Sequence, residues 1–160
     1  MVDVAADLAA LIESLRDQEE RLQFSSFDLG DAWKLGYLLV DTARTRSLGV
    51  TIDITRGDQQ VFHAALPGTT PDNDAWIARK IRTVRRFQHS SFLVGRLAEA
   101  DGVDFHDEFG LPATDYVAHG GCVPIIVRGT GPVGTVTVSG LPQADDHALV
   151  IEALETFLSA

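Results

Sequence analysis

Four stretches of this chain carry residue types that can do chemistry. The first is His119-Gly120-Gly121-Cys122, directly before a β-branched run. An imidazole beside two residues without side chains can meet a ligand over bare backbone N–H groups or ligate a metal. The same pattern also makes a tight turn into a strand, with His119 capping a backbone group. His119 and Cys122 are three apart and invite a nucleophile–base pairing. That pairing needs a thiolate within hydrogen-bond reach of the base, and strand residues three apart face opposite sides. A buried, inert thiol is the competing reading. The second stretch is Arg79, Lys80, Arg82, Arg85 and Arg86, five basic residues in eight with no acid among them. On a helical wheel Ile77, Ile81 and Val84 form one face. Arg79, Arg82 and Arg86 lie opposite, and Lys80 and Arg85 flank the apolar stripe. Such a face is solvated, or it receives an anion or an acidic patch on a neighbouring subunit. The third is Thr69-Thr70-Pro71-Asp72-Asn73-Asp74, a helix start whose free N–H groups suit an anion. The fourth, Asp101 to Glu108, lacks the alternation of a calcium loop and reads as a solvated acidic loop. Walker, dinucleotide and G-x-S-x-G patterns are absent.

These residues need elements to hold them. Leu8, Leu11, Ile12 and Leu15 predict a helix over 4–22. Asp28, with Asp31 three residues on, caps a second helix. Val50–Thr55 and Gln60–Leu66 form a hairpin around Arg56-Gly57-Asp58. A third helix runs from Thr70 to about Phe87. Ser91–Leu97 reads as a further strand, and 99–118 as a loop with a short helix near 112–117. Val123–Val127 and Val133–Val138 make a second hairpin, and a helix over 145–158 ends the chain. Two hairpins and one extra strand give five strands in a mainly antiparallel sheet, with helices on both faces.

The bulk numbers bound the function. The chain has 160 residues, of which 45% are hydrophobic and 22% charged, and fits one domain over 1–160. A lone cysteine excludes an intrachain disulfide and a cysteine-rich zinc module. The net charge is −10, and outside the basic stretch it is −15. That argues against a nucleic-acid partner, since one short helix offers no extended basic surface. The sequence has no apolar run near the ~20 residues of a membrane span, and Met1-Val2-Asp3-Val4 has no basic leader. A cytoplasmic protein without a membrane partner is expected.

Several of these residues together resemble a known family. They are Ala118-His119-Gly120-Gly121-Cys122-Val123-Pro124-Ile125, then Gly134 to Gly140, then Asp145-Asp146-His147. They are similar to the haem-degrading-domain family, which includes GlcG-like and HbpS-like proteins and the C-terminal domain of PduO-type adenosyltransferases. Glu19 to Leu22, Ala64 to Asn73, Trp76, Arg79-Lys80 and Ser139 to Gln143 look like its intracellular branch. The resemblance implies an α+β, profilin-like fold with a five-stranded sheet, and a homo-oligomer. It also implies haem as a candidate cofactor. Haem would need an axial donor such as His63 or His119, because no histidine precedes His63.

Three functions compete. The first is an oligomeric binder of a small ligand: haem, another tetrapyrrole or a small organic anion. Its site would be His119, Gly120, Gly121, Thr70, Asp72, Arg79 and Lys80. The second is an interaction or scaffold oligomer without catalytic activity, built on the basic segment. The third is an enzyme, either haem-degrading or using Cys122.

Overall fold

The computed structural model describes residues 3–160. Among them six helices and four strands are formed. The helices are α1 (Val4–Arg21), α2 (Leu29–Thr45), α3 (Pro71–Phe87), α4 (Ser91–Ala100), α5 (Phe105–Phe109) and α6 (Gln143–Leu158). The strands are β1 (Thr51–Arg56), β2 (Gln59–Ala65), β3 (Cys122–Val127) and β4 (Gly131–Ser139), in the antiparallel order β2-β1-β4-β3. The outer edge of β3 is covered by Phe24, whose N–H donates to the Ile126 carbonyl. Among the described residues no helix is long and apolar enough to cross a membrane.

Strand alternation divides the sheet into two unlike faces. Ile52 and Ile54 of β1, Val136 and Val138 of β4, and Val123 and Ile125 of β3 turn one way. There they meet Leu35, Leu39 and Ala43 of α2 and Val150 and Leu154 of α6. The opposite face carries Thr51, Asp53, Thr55, Thr135, Thr137 and Ser139, all buried. It lies under α3, which adds only Ile77, Ile81 and Val84 around Cys122 as an apolar patch. The first face supplies most of the hydrophobic stabilisation. The second is a polar layer closed by a helix.

The expected capping holds. Asp28 accepts from the Asp31 N–H, and the Asp31 carboxylate takes the Asp28 N–H. Thr70 and Asn73 make the equivalent box at the start of α3. Two expectations fail. The sheet has four strands, not five, because Ser91–Leu97 is helical. Ser90 caps α4 by accepting from the Leu93 N–H, and the Glu19 carboxylate of α1 takes the Ser90 N–H. The run is apolar on every side because it is wedged between others: Phe92 and Leu93 meet Leu15 of α1, while Val94 and Ala98 meet Phe105 and Leu111. A continuous apolar run has no period to separate a buried strand from a buried helix. The short helix expected at 112–117 instead occupies Phe105–Phe109, capped by Asp104 and stopped by Gly110 at φ +63°. At 112–116 there is a single turn onto the Pro112 carbonyl.

Gly95 lets α4 approach the segment that leads into β3. A Cβ there would collide with the Ala118 carbonyl oxygen. Gly95→Ala is therefore expected to cost about 1–3 kcal/mol through overpacking, despite alanine's better helix propensity. Urea midpoints compared with Glu99→Ala, on the exposed side of the same helix, measure it.

Candidate functional site

The first turns of α3 and α6, the end of β4 and the 119–121 turn converge at one end of the sheet. They enclose an open cavity of about 240 Å³. Its lining includes Asp72, Trp76, Lys80, His119, Gln143 and Asp146. One side is a stack. The His119 ring lies 5.5 Å from that of Trp76 at an interplanar angle of 24°, and the Arg79 guanidinium sits 4.1 Å from the Trp76 ring centroid on α3.

At the base of the cavity is an ion pair. Lys80 and Asp146 are each 3% exposed, and Lys80 Nζ donates to Asp146 Oδ2 and to the Val138 carbonyl, both at 3.1 Å. The other carboxylate oxygen accepts from the Leu141 N–H at 2.9 Å. Burial disfavours both charges: it holds Lys80 below the ordinary range of a lysine and Asp146 above that of a carboxyl, while each partner opposes the shift of the other. His119 is held below its ordinary value, first by burial and then by Lys80, Arg96 and Arg79, so the imidazole is neutral at neutral pH.

The two glycines make this geometry available. Gly121 stands at φ +134°, and a Cβ there would meet the Val138 oxygen and come within 2.6 Å of Lys80 Nζ. A Cβ on Gly120 would strike the Gln143 carbonyl, and the Gly120 N–H already donates to Gln143 Oε1 at 3.0 Å. The glycines thus bring the turn against α6 and over the ion pair.

Of the expected site residues His119, Asp72 and Lys80 line this cavity; Gly120 and Gly121 pack behind it against Gln143, Val138 and Lys80, Arg79 backs Trp76, and Thr70 is the cap of α3. Lys80 is not the flanking surface residue of the helical wheel, because the 138–146 segment closes over it. Arg79 and Arg82 donate to the carbonyls of Ala113 and Asp115, and Arg85 to that of Gly57, so part of the basic face ties loops to α3. Trp76, Asn73, Gln143 and Asp146 are further lining residues. Trp76 was findable one helical turn before Lys80. Asp146 was not, since its pairing spans 66 residues and its position explains it equally well as an acid in a helix's first turn.

Cys122 points away from His119, into Ile77, Ile81 and Val84. Burial pushes its thiol up to about 12, which leaves almost no thiolate at neutral pH. His63 bonds to Asp74, His89 to Glu19 and His106 to the Leu111 carbonyl. His147 is buried against α1, with Nε2 2.8 Å from Gln18 Oε1, and burial pulls it down to about 4.

The family model described as haem degrading protein HbpS-like matches residues 27–155. A UPF0303 protein of Streptomyces avermitilis is 56% identical over 148 residues, covering 92% of this chain and 91% of its own length. A UPF0303 protein of Streptomyces coelicolor is 54% identical over 153 residues, covering 96% and 97%. Among solved structures, the Ybr137w protein matches with TM-score 0.85 at 33% identity, covering 92% of this chain and 87% of its own. HbpS matches at TM-score 0.62 and 22% identity over 85% of this chain and 92% of its own. A PduOC:heme complex matches at 0.66 and 15% over 81% and 94%. The last two show a shared fold.

Two outcomes follow from the buried charges. Asp146→Leu or Lys80→Met alone leaves one charge without its partner and is expected to cost about 3–5 kcal/mol, whereas Lys80→Met with Asp146→Leu recovers most of it. Urea unfolding of the four proteins in this cycle decides it; single costs below about 1 kcal/mol would show that the pair is not under tension. For His147 the folded pKa is below the unfolded one, so the unfolded chain binds the extra proton. The stability from a neutral His147 is complete above about 6.5 and is lost as pH falls toward about 4, about 3 kcal/mol in all. His147→Gln should flatten that part of the stability–pH curve.

Proposed function

This chain belongs to the HbpS-like haem-degrading protein family, and we propose that within it the chain is an oligomeric binder of a small organic anion. The observation that supports this most is the cavity of about 240 Å³ with an aromatic wall and a buried ammonium at its base. Two of the three Lys80 N–H groups are taken by Val138 and Asp146, and the third is available to an acceptor. A flat, conjugated ligand gains contact with Trp76 and His119. Gly120 and Gly121 keep the floor open, Arg79 backs the Trp76 ring, and Asp72, with the capped α3 start at Thr70, borders the mouth.

Haem is the second reading, and it is supported by the haem complex of a fold neighbour. Of the five histidines, His119 alone makes no hydrogen bond among the described residues, and it is neutral, as an axial ligand must be. The donor fits. The cavity does not enclose a porphyrin, because it falls below even the ~300–1,000 Å³ of sites for drug-sized ligands. The residues of one chain therefore suit a small ligand better than haem.

Oligomerisation is supported by a different face. Trp33 and Tyr37 of α2 are 52% and 63% exposed beside Phe62 of β2, whose outer edge pairs with no strand among the described residues. Such a patch beside an open edge is characteristic of a surface that meets another chain. The proposed assembly is a homo-oligomer of one-domain chains in the cytoplasm.

Native mass spectrometry of the purified protein is expected to show an oligomer carrying a stoichiometric small mass. In a Trp33→Phe background Trp76 is the sole tryptophan, and small aromatic carboxylates are expected to quench it. His119→Ala should weaken that quenching about tenfold or more, the worth of one lost stacking contact with its desolvation. Haem titration tests the second reading, which requires a Soret shift that His119→Ala abolishes. An empty oligomer that neither quenches nor shifts overturns the binding proposal and favours a scaffold.

A further inference from the structure

Lys80 does more in this geometry than neutralise Asp146. We propose that Lys80 is a carbonyl-capturing amine, forming an imine with a small, flat aldehyde or ketone that enters beside Trp76 and His119, with Asp146 moving the protons. The proposal rests on the cavity reading given above and names the ligand's reactive group.

A lysine in the middle of a helix on an acidic chain is ordinarily solvated, yet this one is 3% exposed and lines a cavity. A staple between α3 and α6 does not by itself require charge, since apolar side chains of similar volume hold such a contact as well or better. A buried acid–base pair bordering a cavity is instead characteristic of a reactive site. The nitrogen is also fixed. Val138 and Asp146 hold two of its positions, and Leu141 holds the carboxylate from its other side. One position remains for a bond to carbon. The groups facing the pair are His119 from the turn and Arg79 from the same helix, with the Cys122 thiol of β3 nearby. The first is neutral, the second is engaged with Trp76 and Ala113, and the third is protonated.

Burial makes the neutral form of the pair accessible: one proton passes from the ammonium to the carboxylate over the 3.1 Å hydrogen bond. Rotation about the Cε–Nζ bond then turns the lone pair, left facing Asp146, toward the open position; it attacks the carbonyl carbon, the C=O π pair moves onto oxygen, and that oxygen takes the proton from Asp146. Nitrogen returns a proton to the Asp146 carboxylate, leaving a carbinolamine. Asp146 protonates the hydroxyl, which departs as water while the C=N bond forms. The remaining proton on nitrogen returns to Asp146. The sum is amine plus carbonyl to imine plus water, with no change in oxidation state, so no co-reactant is needed.

The sequence supplies an internal control. Lys34 is the only other lysine, so apart from the amino terminus the chain has one competing amine. The protein is incubated with 4-carboxybenzaldehyde and sodium cyanoborohydride, which reduces the imine to a stable secondary amine, and peptides are mapped by mass spectrometry. Binding without chemistry is followed in the Trp33→Phe protein with 4-(hydroxymethyl)benzoate, which has no carbonyl carbon to attack. The expected result is an adduct on Lys80 that exceeds the one on Lys34 by about tenfold or more, with quenching by both compounds. Lys80→Arg removes the primary amine and should lose the adduct at position 80 while Lys34 labelling persists; where it fails to fold, the wild-type peptide map decides. Quenching by both compounds with no Lys80 adduct, or equal labelling of Lys34 and Lys80, overturns the imine and leaves the cavity reading standing. Neither quenching nor adduct overturns both.

Discussion

Lys80 and Asp146 face each other across 3.1 Å with almost no solvent, and the cavity end of the molecule is arranged around them. Removing such charges from water costs several kcal/mol per ion, and their attraction offsets this only when every remaining donor and acceptor is met. Here the partners are backbone groups. The Val138 carbonyl must reach Nζ and the Leu141 N–H must reach the carboxylate, which fixes the path of the chain as β4 leaves the sheet. Gly121 must lack a side chain, because any Cβ would press on Nζ and Val138. The 119–121 turn therefore lies directly over the pair, and this placement carries His119 to the Trp76 ring. The cavity is the space left when one ion pair draws four segments together without filling the gap between them.

This is affordable because the sheet's two faces do different work. The face toward α2 and α6 packs Ile52, Ile54, Val136 and Val138 into a continuous apolar core. The face toward α3 carries hydroxyls and a carboxylate on the same strands. The register sets His63, Asp53, Thr137 and Cys122 side by side across all four strands, the first three of them polar. Within it the second Asp53 oxygen and the Thr51 and Thr137 hydroxyls have no protein partner, and burial raises Asp53 above the usual carboxyl range. A layer of this kind adds little stability.

What was legible in the sequence is what is local. Capping boxes at Asp28 and Thr70 act within three residues, and hairpins declare themselves through glycine turns, so α2 starts at its predicted cap, and α3 and both hairpins are found within a residue or two of their predicted limits. The Gly-Gly turn and the α3 start could be named as one candidate site because the types of their residues are informative by themselves. What was not legible depends on contacts distant in sequence. Whether Ser91–Leu97 was strand or helix was decided by Glu19 of α1 and by neighbours on every side, none of which its own composition reveals. Lys80 looked like part of a solvated basic face because its position on the wheel is set by its own helix, and its burial is set by a segment 58 to 66 residues later.

The two candidate nucleophiles show the same dependence on distant contacts. From sequence, Cys122 could be an activated thiol three residues from a histidine or a buried, inert one, and the structure shows the buried one. Both it and Lys80 are buried, and burial acts on them in opposite senses. It disfavours whichever form is charged. For a thiol the charged form is the nucleophile, so enclosure among Ile77, Ile81 and Val84 removes its reactivity. For an amine the charged form is the inert one, so the same removal of water increases the fraction that carries a lone pair, and a carboxylate within hydrogen-bond distance gives the displaced proton a place to go. The same burial therefore silences the thiol and primes the amine.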